Sequence, residues 1–439
     1  MRWADVLVGD VNHLFDSRGL LWGLSQALDW RLTVLVDEAH NLVERTRQMY
    51  SAELRASQIR SAAQAAPAAL RAPLGALLRA AEALADDAFA SGVDVVDTAG
   101  RAEPATGAAA YVALNAPPDD FVQALQAASG ALADHFLQLP LAVGPLLNFH
   151  FELQRFGQRV DTLGEHSLFD LKRDAPQATP GDGDLLLCVR NVLPAAFLRP
   201  RFAALDSATL FSATLSPPEH ARRLLGLPDD TAWLDVPPAF PPEHLTVRVA
   251  GGLSTRFADR RRSLPRLVGV IAQQFDAHPG NYLAFFSSFD YLDMAADRLA
   301  AQRPELPQWR QDRRMGTDAR QAFLARFVPQ GRGIGFAVLG GVFAEGVDLP
   351  GSLLIGAFIA TLGLPPISPM QDQIRARLDK LLGAELGGAA DLIPAMQKVV
   401  QAAGRVLRTP EDRGWLWLLD ERYRRPEVRA LLPGWWSLG

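Results

Sequence analysis

The run LTVLVDEAHNLVE, Leu32 to Glu44, sets Asp37 and Glu38 directly after a short apolar stretch. Carboxylates at the carboxyl end of a buried strand lie where open α/β sheets bind ligands. There Asp37 could hold a magnesium ion through water, and Glu38 could polarise an attacking water. Two other readings of these letters stand beside it. One is a helix start capped by aspartate. The other is a metal site using His40, against which no HExxH pattern occurs and the eight histidines are scattered. In TLFSATLSP a strand ends in Ser212 and Thr214, whose hydroxyls can bond a neighbouring carboxylate or histidine; the same letters also describe an ordinary strand end. In QAAGRVLRTPEDRG, a helix would put Gln401, Arg405 and Arg408 on one face. Two arginines there can clamp a γ-phosphate, and Gly404 permits close backbone approach. A solvated basic face is the plainer alternative. In GGVFAEGVDLPGSLL, Glu345, Gly346 and Asp348 follow a strand, where the glycines could be turn punctuation alone.

These groups need elements to hold them. LTVLV, NYLAFFSS, FAVLGGVF, SLLIGAFIA and GWLWLLD read as buried strands alternating with helices, which implies parallel sheets. ADVLVGDV, Ala4 to Val11, reads as a further strand. Between about Ser51 and Asp182, Ala and Leu recur at three- and four-residue spacing, so this block is expected to be helical. DAPQATPGDGD, Asp174 to Asp184, reads as an exposed connection. The chain has 439 residues, enough for about three domains. Its net charge of −5 gives no whole-chain electrostatic argument for nucleic acid and none against a local basic groove. The single cysteine, Cys188, excludes an internal disulfide and a four-cysteine metal site within the chain, and its setting in LLLCV predicts burial. No apolar run of about 18 residues occurs, so a soluble, cytoplasmic protein without membrane contact is expected.

The order DEAH, SAT, EGVD, QxxGRxxR resembles the motif series of superfamily 2 helicases. VGDVNHLFD ahead of DEAHN, SATLSPPEHARRLLG, AEGVDLPG and QAAGRVLRTPEDRGWLWLLDERY narrow the resemblance to the XPD/DinG family of DNA helicases. That resemblance implies an α/β protein with two RecA-like parallel-sheet domains, the first incomplete, and an all-helical Arch-like insertion. The implied division is 1–50 and 183–240 for the first domain, 51–182 for the insertion and 241–439 for the second domain. It implies ATP-dependent unwinding of DNA in the 5′→3′ direction, with ATP and Mg2+, DNA (single-stranded or forked) as partner, and work in DNA repair. By the same likeness Asp37 (the magnesium residue), Glu38, His40, Arg405 and Arg408 are catalytic. Gln401, Gly404, Glu345, Gly346 and Asp348 face the nucleotide. Ser212 and Thr214 couple nucleotide state to the domain interface. FFSSFDYL puts Ser287 and Ser288 near DNA.

One part of the family pattern is missing. A phosphate loop reads GxxxxGK[ST], and none of the three lysines, Lys172, Lys380 and Lys398, follows a glycine. In the family the loop and the iron–sulfur cysteines both precede the VNH segment, which begins here at Val11. The expectation is therefore the C-terminal portion of such a helicase, with no iron–sulfur cluster in this chain and no activity alone. The alternative is a non-catalytic DNA-binding or regulatory module derived from one.

Overall fold

A computed structural model of the protein describes residues 4–91, 110–139, 143–174, 183–344 and 347–439. The chain forms two compact units. The first comprises Met1–Ser212, Pro218–Thr231 and Pro366–Gly388; the second comprises Ala213–Pro217, Ala232–Pro365 and Ala389–Gly439.

In the first unit, β1 (Thr33–Val36) is the strand expected before the acidic pair. It pairs in parallel with β6 (Ser207–Leu210), Val36 opposite Leu210, and these two strands make a sheet of their own. Leu35 is 70% exposed and Phe211 45%, so this small sheet shows apolar side chains to solvent. ADVLVGDV does not become a strand. Val6 and Val8 are exposed, and no described strand pairs with the segment, so its backbone lacks the ladder that would fix it.

The middle block is mostly helical, as the Ala/Leu spacing requires, but it is not all-helical. Helices Ala56–Ala65, Ala68–Ala90, Asp119–Leu137 and Pro145–Asp161 pack on one face of an antiparallel sheet. Its strands are β2 (Ala52–Arg55), β3 (Ala110–Leu114), β4 (Ser167–Arg173) and β5 (Leu185–Asn191), in the order β2-β5-β4-β3. Leu54, Phe169, Leu171, Leu187 and Val189 point into the helices and meet Leu74, Phe121, Leu153 and Phe156. The alternate residues include Cys188, buried as expected, and an Asp170–Arg190 ion pair at 2.8 Å. Burial pushes both the Cys188 thiol and the Asp170 carboxyl up from their ordinary values. Strand β5 follows the 182/183 boundary drawn above yet belongs to this sheet. Most of the connection Asp174 to Asp184 lies outside the described residues.

The helix Pro369–Leu382 also belongs to the first unit, although the sequence around it builds the second. Ser368 caps it, accepting from the Gln371 N–H at 3.2 Å. Arg377 donates to the carbonyls of Glu165 and Ser167 at 3.1 and 3.0 Å, and Lys380 pairs with Glu165 at 2.9 Å.

The second unit holds one six-stranded sheet, all parallel, in the order β7-β12-β11-β8-β10-β9. The strands are β7 (Leu245–Val249), β8 (Asn281–Phe286), β9 (Gln308–Arg310), β10 (Gly333–Val338), β11 (Gly356–Ala360) and β12 (Gly414–Leu418). Both faces are covered, which is why NYLAFF and GAFIA are buried at every position rather than at alternate ones. Leu283, Phe285, Ile359 and Leu416 enter one core, Tyr282, Phe286 and Phe358 the other. The α/β class with parallel sheets is as the sequence implies.

Candidate functional site

Within the first unit, the parallel register of β1 and β6 carries both chains off the sheet at the same end. The residues just past the strands then meet. The Phe211 N–H donates to the Val36 carbonyl at 3.0 Å, and the Ala39 N–H to the Phe211 carbonyl at 3.1 Å. Asp37 Oδ1 accepts from the Glu38 N–H at 2.7 Å. Glu38 sits in the left-handed region at φ 48°, ψ 43°, where a side chain costs about 1–2 kcal/mol. Such strain in a non-glycine residue concentrates at functional positions. Here it turns the Glu38 carboxylate out to solvent while His40 turns in, its side chain only 6% exposed. His40 Nδ1 lies 2.7 Å from Ser212 Oγ and 3.3 Å from Glu38 Oε2. One imidazole therefore touches both the acidic pair and the SAT segment, residues about 170 positions apart in sequence.

The donor set suits a hydrated magnesium ion. Mg2+ is held through one or two carboxylates, with waters and phosphate oxygens completing its shell. Asp37 is an exposed carboxylate at a strand end, and no group of three or more His, Cys, Asp or Glu side chains gathers among the described residues to form a closed protein cage.

In the second unit, the helix Leu392–Ala403 ends one residue before Gly404. Gln397 Nε2 donates to the Thr214 carbonyl at 2.6 Å, and Gln401 Nε2 lies 3.4 Å from Thr214 Oγ1. Arg405 and Arg408 lie beyond the helix, so the single helical face expected for all three side chains does not form. Something else gathers the two arginines. Arg405 donates to the carbonyls of Ala344 and Val347 at 3.2 and 2.9 Å, and Arg408 donates to that same Val347 carbonyl at 3.2 Å. Arg408 also faces Asp348 at 3.4 Å. Both guanidinium groups are thus seated on the strand-to-strand segment that carries EGVD. Glu345 and Gly346 themselves lie outside the described residues.

Sequence reasoning missed the residue that shapes this turn. Asp412 accepts from the N–H groups of Arg408 and Thr409 at 2.7 and 2.9 Å, and from Thr409 Oγ1 at 2.7 Å. Burial pushes its carboxyl up, but the Thr409 hydroxyl and these backbone N–H groups prevail and hold it below its ordinary value. The signal was present: RTPED places an aspartate three and four residues after the atoms it binds, in a proline turn.

At the carboxyl end of β8 both serines have structural work. Ser287 Oγ lies 2.8 Å from Arg260 Nη2, and Ser288 caps the helix Phe289–Gln302, accepting from the Tyr291 N–H at 3.3 Å. A second missed residue lies on the same edge of the sheet. Asp420, just after β12, is fully buried. Its carboxylate accepts from Arg422 Nε and Nη2 at 2.8 and 2.9 Å and from the Thr255 N–H at 2.9 Å. GWLWLLD is a second apolar strand ending on an acid, the pattern already read in LTVLVDE.

Residues 271–438 match the helicase C-terminal domain family. Over 230 residues the chain is 27% identical to the human putative ATP-dependent DNA helicase DDX11-like protein 8, a stretch that is 44% of this chain and 25% of that protein. Over 260 residues it is 26% identical to the general transcription and DNA repair factor IIH helicase subunit XPD of Arabidopsis thaliana, covering 54% of this chain and 33% of that one. The matched stretches thus span a quarter to a third of these relatives. A solved apo XPD structure shares the fold with a TM-score of 0.58 and 18% identity, covering 96% of this chain and 78% of that one. The resemblance to the XPD/DinG type drawn from the motif series is borne out.

Proposed function

We propose that this chain carries the metal-and-water side and the arginine side of an ATP-dependent DNA helicase that moves 5′→3′ on DNA in repair. The observation that carries this reading is the assembly of its distant motifs into two local constellations. In one, His40 joins Glu38 to Ser212. In the other, Arg405 and Arg408 share the Val347 carbonyl. An unrelated acidic helix start and an unrelated basic helix face have no reason to be built this way.

In the proposed mechanism Asp37 would hold the hydrated Mg2+, whose charge offsets that of the β- and γ-phosphates when bound. Glu38 orients and polarises the attacking water. His40, fixed by Ser212, holds Glu38 in place and registers its state. Arg405 and Arg408 supply positive charge to the γ-phosphate on exchanging their carbonyl partners for phosphate oxygens, a stronger, charge-assisted contact. Gln401, Gly404 and Asp348 are read as facing the nucleotide, Glu345 and Gly346 carry the same role by the motif resemblance alone, and Gln401 lies 3.4 Å from the Thr214 hydroxyl. Ser287 and Ser288 sit at the strand end read as DNA-facing.

No GxxxxGK[ST] occurs in these 439 residues. A phosphate loop gives the β/γ-phosphates several N–H donors and a lysine, and positioning is most of the catalysis in phosphoryl transfer. The 439-residue chain is therefore read as inactive toward ATP by itself. That same absence favours the second reading, a DNA-binding module without a motor; the seated arginine pair favours the first.

DNA binding is tested by fluorescence anisotropy with a labelled oligothymidylate of roughly 20 nucleotides and the matching duplex. The reading expects single strands to bind more tightly, with affinity falling steeply with salt. No binding of either nucleic acid at low salt would contradict it.

A further inference from the structure

The carboxyl edge of the six-stranded sheet carries a side chain that the nucleotide chemistry does not use. Phe257 is 81% exposed, although it lies in a short 3-10 turn, Phe257–Asp259, between well-packed elements. Its own segment is basic, with Arg256 3.9 Å from Glu421 and Arg262 paired to Asp259 at 2.7 Å, while Arg261 adds a further positive charge. RFADRRRSLPR, residues 256–266, contains five arginines and one aspartate, in a chain whose net charge is −5.

The mounting under this ring is rigid. The turn is entered from Thr255, itself buried and bonded through its N–H to the fully buried Asp420, which Arg422 grips with two nitrogens. Ser254 Oγ donates to Asp259 at 2.7 Å. Arg260 then closes the far side. It lies over the Phe257 ring at 5.4 Å and over Tyr291 at 4.8 Å, and it reaches Ser287 at the end of β8 at 2.8 Å. An exposed aromatic ring on a fixed base, backed by a guanidinium, loses little freedom when something stacks on it.

We propose that Phe257 is a stacking platform for one base of a single DNA strand whose flanking phosphates lie on Arg256 and Arg261. The inference rests on the reading of the chain as a DNA-binding helicase part and names a contact within it. The chemistry is specific to an unpaired strand. A free base face can stack on an exposed ring with any sequence, and the arginines supply the complementary charge. In a duplex the base faces are already stacked on one another.

The test uses the whole chain with labelled oligothymidylate, comparing wild type, Phe257→Ala, Phe257→Trp and Arg261→Ala across a salt series. Phe257→Ala should weaken binding about 5- to 100-fold and leave the slope of log affinity against log salt unchanged. Phe257→Trp should keep the affinity. Arg261→Ala should flatten the slope by about 0.7, the loss of one single-strand phosphate contact. Wild-type melting temperature in Phe257→Ala separates lost contact from lost fold. If wild type binds and Phe257→Ala binds equally well, the platform is refuted while the helicase reading stands, and the ring is left to a protein surface. If Phe257→Ala flattens the salt slope as Arg261→Ala does, the ring acts only by placing an arginine, and the stacking contact is likewise refuted. If wild type binds no single strand, both readings fall together.

Discussion

Replacing Asp420 with asparagine should cost the second unit about 3–5 kcal/mol, the usual penalty for removing one partner of a buried ion pair. The structure sets out why. Asp420 has no solvent exposure, and both of its oxygens accept from Arg422, whose side chain is itself only 14% exposed. The Thr255 N–H and hydroxyl converge on Oδ2 as well. An asparagine amide would present N–H groups to donors on one side and leave the guanidinium without its charge. Against a typical domain stability of about 5–15 kcal/mol the loss is large. The pH dependence has a definite sign. Burial raises the Asp420 carboxyl, but bonds from Arg422 and Thr255 outweigh it and hold the carboxyl below its ordinary value. A depressed carboxylate contributes stability that is complete above its unfolded value, about 3.9, and is lost as pH falls through the folded one. Urea unfolding followed by the fluorescence of Trp309, Trp415 and Trp417 should therefore show a wild-type advantage over Asp420→Asn near pH 7 that closes below about pH 4. A gap under about 1 kcal/mol at neutral pH, the scale of one ordinary hydrogen bond, or a gap that persists in acid, would refute this account of the loop that carries Phe257.

The arginine assignment predicts that, when the chain is joined behind the phosphate-loop segment of an active relative, Arg405→Ala or Arg408→Ala lowers DNA-stimulated hydrolysis by about 10³–10⁵ and spares single-strand binding. Near-normal turnover in both would return the pair to a loop-holding role on Val347. Arg377→Ala removes two bonds to the Glu165 and Ser167 carbonyls. It should loosen the helix Pro369–Leu382 by about 1–2 kcal/mol, read as faster limited proteolysis within Pro366–Gly388; an unchanged cleavage rate would show that the Lys380–Glu165 pair and the buried Leu378 hold the helix without it.

Much of the second unit was legible because its strands are buried on both faces. NYLAFF, GAFIA and GWLWL announce themselves as mostly apolar runs, and Asp420 marks the end of the last. The antiparallel sheet of the middle block was not. Strand β2 has four residues, and its partner β5 begins about 130 positions later, so no local pattern links them. Strand β4 carries Asp170, Lys172 and Arg173, which disguise it, while the Ala-rich helices dominate the composition. Arg405 and Arg408 do come together, but not through the helical face that their spacing implies. Helical spacing was continued through Gly404, whereas the helix stops at Ala403 and a shared backbone carbonyl gathers the side chains. The return of Pro366–Gly388 to the first unit depends on Arg377 and Lys380 meeting carbonyls and a carboxylate some 200 residues earlier, which one-dimensional reading does not reveal.

The proposed function gives Asp37 and Glu38 of the first unit and Arg405 and Arg408 of the second separate roles in ATP hydrolysis, in a sequence with no GxxxxGK[ST] loop. Its most direct test is phosphate release by the purified 439-residue chain with ATP, Mg2+ and single-stranded DNA, beside a Glu38→Gln control. Wild type should release no more phosphate than the control while still binding the DNA. Sustained DNA-stimulated release by wild type that vanishes in Glu38→Gln would contradict it, since the chain would then have to build its own phosphate site without a glycine-lysine loop.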